Sequence, residues 1–317
     1  MRVSEYLDQA KGSTLLSFEV LPPLKGGTMQ DIFNILDPLM EFKPPFIDVT
    51  YHREEFIYKK MESGYYEKTA IRKRPGTVGI CASIMHRYGV DAIPHLICGG
   101  FSKEETENAL IDLHFLGINN VLALRGDARQ FEDRFIGEED GHTYAVELVK
   151  QIHNMNRGIY LDTNIANGAR TQFCIGVAGY PEKHFEAPNM SIDLEYLKKK
   201  MDAGAEYIVT QMFFDNSRFL KFVESCRSIG IHVPIIPGLK PLTSAKQIHT
   251  LPRKFFVSMP EELIREVLKN QDSGRAKEIG IEWCRQQSKE LKAAGVPCIH
   301  YYTMGDTDTI IQVVRDL

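Results

Sequence analysis

Leu15-Leu16-Ser17-Phe18-Glu19-Val20-Leu21, ended by Pro22-Pro23, reads as a buried strand with one carboxylate inside it. An ionised Glu is costly to bury without partners. Proline cannot donate to a sheet ladder, so the strand stops at Pro22. Glu19 therefore falls near the carboxyl end of a first strand, facing something other than plain core. In parallel α/β folds that end carries the chemistry. The bland alternative is a structural carboxylate paired with a neighbouring Lys or Arg.

Working outward, further short apolar runs fall at 45–50, 94–97, 119–124, 173–178, 206–211, 233–237 and 298–302, after the first at 14–20. Helical segments separate them. Ser102 with Glu105 forms a capping box that starts a helix over 103–116. Leu194, Leu197 and Met201 share one face of a helix over 191–203, stopped by Gly204. Ile279, Trp283 and Leu291 place the inner face of a helix over 274–294. Eight strands alternating with helices predict an α/β fold, a (βα)8 TIM barrel, as a single domain over 1–317. A doubly wound sheet is the alternative. No Pro-, Gly- or Ser-rich linker divides the chain. The polar stretch 52–76 is the largest irregular insertion, and it follows strand two, so it is expected over the active-site face.

The net charge of -4, from 38 basic and 42 acidic residues, gives no argument for nucleic-acid or membrane binding. Six cysteines are scattered without metal-ligand spacing and read as reduced thiols. The first residues lack the apolar core of a signal peptide, and no stretch approaches transmembrane length. A soluble cytoplasmic protein is expected.

Polar residues close five consecutive strands: Asp48-Val49-Thr50-Tyr51-His52, His95-Leu96-Ile97-Cys98, Leu124-Arg125-Gly126-Asp127, Gly179-Tyr180-Pro181 with His184, and Thr210-Gln211 before Phe213-Phe214-Asp215. Each has a structural reading. Asp127 can cap a turn, His95 can be a satisfied core histidine, and Tyr180-Pro181 can shape a turn. Phe213-Phe214 can be core, Lys198-Lys199-Lys200 a solvated helix face, and Thr50 and Gln211 backbone ligands. The accumulation at one barrel mouth points to function. GxGxxG, GxxxxGK[ST], HExxH and GxSxG are absent from the sequence, so loops and helix ends must hold any nucleotide.

Taken together the motifs resemble those of methylenetetrahydrofolate reductases. They are Ser17-Phe18-Glu19 with Pro22-Pro23, Val49-Thr50-Tyr51, His95-Leu96 before Cys98, Leu124-Arg125-Gly126-Asp127, Tyr180-Pro181-Glu182 with His184, Lys200 through Ala205, Thr210-Gln211 with Phe213-Phe214-Asp215, and Ile235-Ile236-Pro237-Gly238. They occur in that order from about residue 15 to about 305. The likeness is to the short bacterial form, without the regulatory domain of eukaryotic relatives.

The resemblance implies a barrel holding FAD non-covalently, with NADH or NADPH as co-substrate and methylenetetrahydrofolate as acceptor, in ping-pong alternation. It implies Glu19 as the acid that protonates the folate's leaving nitrogen. It implies Asp127 as the carboxylate near flavin and pterin, and Gln211 as a contact to both substrates. Thr50, His95, Leu124, Arg125, Gly126, Asp127, Tyr180, His184, Asp193 and Lys200 fall on its FAD-binding positions, with Arg125 and Lys200 suited to the pyrophosphate. No metal is implied, and a homo-oligomer is expected. Methionine synthesis is the expected pathway. Met212, Ala245 and Met304-Gly305-Asp306 depart from the enterobacterial pattern, and Asp306 reverses a charge near the site. Two other readings remain: a flavin-free barrel lyase or aldolase using Glu19, and a non-catalytic folate- or flavin-binding subunit.

Overall fold

The computed structural model describes residues 1–10, 12–129, 132–270 and 274–317. Nine parallel segments form one sheet: β1 (Leu15–Val20), β2 (Phe46–Val49), β5 (Asp91–Ile97), β6 (Asn120–Leu124), β7 (Cys174–Gly179), β8 (Tyr207–Thr210), β9 (Ile235–Ile236), β10 (Gly238–Leu239) and β11 (Cys298–Tyr302). β9 and β10 are one stave broken at Pro237, which has no N–H to donate. β9 pairs with β8, and β10 pairs with β11. The chain thus closes its own ring of eight staves, the predicted (βα)8 barrel. Three bonds tighten this seam: Gly238 N–H to Thr210 Oγ1 at 3.0 Å, His300 N–H to Pro237 O at 2.9 Å, and Tyr302 O–H to Thr210 O at 2.6 Å.

Barrel strands are buried on both faces, which explains their near-continuous apolar runs. Outward residues such as Phe18, Val20, Ile47, Val49 and Val121 pack under the helices. Inward residues form two layers. The lower is apolar: Phe46, Ile93, Leu122, Cys174, Tyr207, Ile236 and Cys298. Tyr207 fits because Gly176 has no side chain; a Cβ there would lie 2.2 Å from its ring. The upper layer, toward the carboxyl ends, is polar.

The predicted helices appear as α4 (Lys103–Phe115), α6 (Met190–Asp202) and α10 (Ala276–Ala293). Ser102 Oγ accepts the Glu105 N–H, and Glu105 accepts the Ser102 N–H, so the capping box is formed. β5 begins three residues before the predicted start, at Asp91, and carries Pro94 within it. All six cysteines are buried and free. Among the described residues, no helix is long and apolar enough to cross a membrane.

Two elements correct the sequence reading. The stretch 52–76 is not irregular: it contains an antiparallel hairpin, β3 (Glu55–Lys60) and β4 (Tyr66–Ile71). Its turn uses Gly64 at φ +83°, and its strands are aromatic and β-branched beneath a highly charged composition. The other is α1 (Val3–Gln9), which lies under the barrel. Its Val3 and Leu7 are buried against the lower apolar layer. Asn120 at the foot of β6 holds it, accepting the Val3 N–H at 2.8 Å.

Candidate active site

Register brings Glu19 of β1 beside Asp48 of β2, and Ser17 beside His300 of β11. Aligned residues of parallel neighbours share a face, so all four point into the barrel. His95 of β5 completes the group. Its Nε2 lies 3.6 Å from Glu19 Oε2 and 3.6 Å from Asp48 Oδ1. His300 Nδ1 lies 2.9 Å from Ser17 Oγ and 3.8 Å from Asp48 Oδ2. Glu19 is 15% exposed, and Asp48 and His300 are 1% exposed. Both Asp48 oxygens, His95 Nε2 and His300 Nε2 are buried without a hydrogen bond among the described residues. A polar group left this way is costly, so the cluster is poised to accept a proton or a bond.

Burial raises the Glu19 carboxyl to about 7, assisted by the Asp48 charge and opposed by His95. For His95, burial works against the cation. Asp48 and Glu19 outweigh it and hold the imidazole above its usual range. Burial lowers His300. The group therefore holds a carboxyl that keeps its proton near neutral pH, the property of a general acid. His95 Nε2 lies between the Glu19 and Asp48 carboxylates, 3.6 Å from each.

A second group lies across the mouth, at the ends of β6 and β7. Lys200 of α6 donates to Ala178 O at 2.7 Å. No carboxylate among the described residues lies within ion-pair distance of its ammonium. Desolvation lowers it to about 8, with Asp193 pulling the other way. Arg125 pairs with Glu186 and lies 5.2 Å from the Phe135 ring. Asp193 accepts the His184 N–H at 2.9 Å, and Tyr180 stacks edge-on against His184 at 4.8 Å. Burial pushes His184 down to about 4 and Tyr180 up. Gly126 takes φ +87°, which favours glycine, with Ile97 packed against it. Leu124 O accepts from Cys98 N at 3.2 Å. A desolvated cation with no carboxylate partner suits a buried phosphate, so this wall fits the pyrophosphate of a dinucleotide.

The remaining expected residues sit on the rim. Asp127 is exposed, and its charge reaches both Tyr180 and His52. Thr50 Oγ1 bonds Val20 O at 3.5 Å, and Gln211 Oε1 accepts its neighbour Met212 N–H at 2.9 Å. Gln211 is therefore a backbone ligand as the structure stands, whereas Thr50 Oγ1 also lies 3.4 Å from His52 Nε2. Phe213 and Phe214 are core, at 1% and 2% exposure. Lys198 pairs with Asp202 on the solvated face, while Lys200 turns inward. Sequence reasoning gave Asp48 and His300 no role. The signal for Asp48 was the one used for Glu19, a carboxylate inside the apolar run Phe46-Ile47-Asp48-Val49.

These features define a class: a (βα)8-barrel protein whose mouth sets a buried, proton-retaining carboxyl opposite a cationic wall. A family profile for methylenetetrahydrofolate reductase matches residues 2–317. The chain is 32% identical to 5,10-methylenetetrahydrofolate reductase of Salmonella typhimurium over 99% of this chain and 94% of that protein. It is 34% identical to methylenetetrahydrofolate reductase (NADH) 1 of Arabidopsis thaliana over 97% of this chain and 49% of that protein. The chain spans about half the length of the plant relatives it matches. The chain belongs to the methylenetetrahydrofolate reductase family. Among solved structures, it is similar to a Clostridium thermocellum protein that binds two copies of 5-methyl-5,6,7,8-tetrahydrofolic acid. That likeness has TM-score 0.52 at 13% identity, covers 97% and 96% of the two chains, and bears on the fold alone.

Proposed function

We propose that this protein reduces methylenetetrahydrofolate to methyltetrahydrofolate with hydride from NAD(P)H, in two alternating half-reactions through bound FAD. The observation that carries this reading is Glu19, a carboxyl at the barrel mouth with its proton held to about pH 7. The folate's five-membered ring must open to an iminium before it accepts hydride, and opening needs a proton on the leaving nitrogen. A carboxyl with an ordinary pKa is nearly all ionised at neutral pH. Glu19, raised to about 7 by burial, keeps its proton to far higher pH than such a carboxyl.

FAD, when bound, supplies a hydride carrier that one substrate loads and the other unloads. Lys200 and Arg125 would hold its pyrophosphate, with Thr50, His95, Leu124, Gly126, Tyr180, His184 and Asp193 around the rest. Asp127 offers a negative charge at the rim, favourable to the cationic iminium. Gln211, just after β8, would contact either substrate through its amide, whose oxygen is held by the Met212 N–H. Asp48 and His95 hold the charge balance that sets the Glu19 proton. The barrel would be the catalytic unit, and one-carbon metabolism its setting.

The test is spectroscopic. Purified protein loaded with FAD is kept anaerobic, then given NADH or NADPH, then methylenetetrahydrofolate. Bleaching followed by recovery of the flavin absorbance is expected. A flavin that neither nicotinamide bleaches would point to a protein electron donor. Failure to take up FAD at all would sink the reductase reading and favour a flavin-free lyase.

A further inference from the structure

The β3–β4 hairpin takes no part in the barrel. It is a sheet of its own, with no third strand among the described residues. Its base is anchored. The Arg129 guanidinium lies 4.5 Å from the centre of the Phe56 ring, and Arg53, just before β3, pairs with Glu132 at 3.1 Å. Its outer half stands in solvent: Ile57 is 43% exposed, Tyr58 57% and Tyr66 64%. A lone two-stranded hairpin is marginal in water, and apolar side chains along an open edge mark a surface for another strand. The two edges differ. Just past β4 the chain is already engaged, since Lys25 N–H donates to Lys73 O at 2.7 Å. The outer edge of β3 pairs with nothing among the described residues.

The sequence of β3 says what fits there. A second copy related by a two-fold axis pairs the edge with itself, antiparallel, and every side chain keeps its own face of the joined sheet. With the axis at Ile57, Ile57 meets its own copy and Phe56 meets Tyr58 of the second copy. Glu55 then meets Lys59, and Glu54 meets Lys60. Each charge in the strip faces its opposite, and apolar residues fill the middle. An axis at Tyr58 sets Ile57 against Lys59 and Phe56 against Lys60, and one at Phe56 sets Arg53 against Lys59. The β4 edge offers no such match. Axes at Glu67 and Lys68 oppose like charges, and one at Thr69 sets Glu67 against Ile71. Lysines on an edge ordinarily keep a second copy away. Here neither Lys59 nor Lys60 has an ion-pair partner among the described residues. Glu54 is held only loosely, 3.9 Å from Arg72, and Glu55 meets Lys73 at 2.5 Å. We propose that the β3 edge is a self-association surface, on which a second copy of this chain adds its own β3 to make a four-stranded sheet centred on Ile57.

Sedimentation velocity of the full chain over a wide range of concentration tests this. The mass of a dimer, or a multiple of it, is expected, tightening with concentration because a narrow strip binds weakly. Ile57→Asp sets two carboxylates against each other at the axis. It should halve that mass, weakening association by about tenfold or more. Glu54→Lys and Lys60→Glu should each weaken it about as much. Mixed one to one, these two variants should recover the wild-type mass, because every charge in the mixed pair again faces its opposite. The three side chains lie on the surface of the single chain, so far-UV circular dichroism should match wild type throughout. A wild-type protein that stays monomeric at every concentration would overturn the proposal. So would a mass that Ile57→Asp leaves unchanged, or charge variants that mixing fails to rescue. Loss of flavin bleaching by NADH in Ile57→Asp, at unchanged mass, would also overturn it and make the hairpin a cover for the barrel mouth.

Discussion

Glu19 works through what surrounds it. Removal from water favours its protonated form, and the Asp48 carboxylate adds to that. The folate half-reaction should hold its rate below about pH 7 and fall about tenfold per unit above it. Glu19→Gln should lose roughly 10²–10⁴ of that half-reaction and retain flavin reduction by the nicotinamide. Stopped-flow measurement of each half decides; equal losses would remove Glu19 from the acid role. The same variant carries a stability signature. Glu19 has a raised folded-state pKa, so its favourable contribution is complete below about 4.5 and lost as pH rises through about 7. Glu19→Gln should therefore gain of order 2 kcal/mol over wild type at pH 8 and little at pH 4.5, read as urea midpoints. Asp48 acts one step back. Asp48→Asn removes the anion that helps hold His95 protonated and leaves burial opposing the cation. His95 should then titrate at lower pH, as followed by imidazole NMR, and an unmoved His95 would refute the coupling. Glu19 was legible in the sequence because a carboxylate breaks an apolar run just before two prolines. Asp48 breaks its run equally, but no terminator marks its depth. His300 sits between Ile299 and Tyr301 as an ordinary inward strand residue. What unites them is register between β11, β1 and β2, which spacing along one chain does not contain.

At the level of elements, legibility followed the number of concordant local signals. α4 was readable to within a residue because the Ser102–Glu105 capping box fixes its start. The β3–β4 hairpin was hidden because Lys59, Lys60, Glu67 and Lys68 mask a strand pattern that lies exposed to solvent. The seam was only half visible: Pro237 marks a stop, whereas the chain resumes at Gly238 to pair with β11. Gly238 is required there by close approach. A Cβ would meet Thr210 O at 2.3 Å and the Tyr302 ring at 2.6 Å, both fixed by the bond between them. Gly238→Ala should cost about 2 kcal/mol or more by overpacking and, by parting β10 from β11, raise the KM for folate. Gly79 in α3 (Thr77–Tyr88) is the control, since nothing lies within 4 Å of its Cβ position. Gly79→Ala, in the first turn of α3, should stabilise by up to about 1 kcal/mol, as a helix favours Ala over Gly. Urea midpoints of the two variants should move in opposite directions. A Gly238→Ala protein as stable as wild type would mean the seam tolerates widening.

Across the whole molecule the barrel is divided along its axis. The carboxyl end carries Glu19, Asp48, His95 and His300, charged groups held with incomplete partners, which cost stability. The opposite end offsets this with an apolar layer, sealed by α1. Val3 is fully buried and Leu7 7% exposed against Phe46, Ile93, Leu122 and Cys298. Arg2 and Glu206 pair at the edge, and Tyr6 donates to Asp91 at 2.6 Å. Nothing in the short apolar pattern of 3–9 distinguishes a plug from a frayed terminus, so its role emerges only from the closed ring above it. The division predicts that stability and chemistry respond to different ends. Val3→Asp buries a carboxylate among the apolar side chains of the lower layer. The cost should be about 3 kcal/mol or more, read as a lowered urea midpoint. At a temperature where the variant stays folded, both half-reactions and the pH limb near 7 should match wild type, because the upper layer is untouched. A shifted limb in Val3→Asp would show that the plug and the acid are coupled through the barrel interior, and that the two ends are one unit after all.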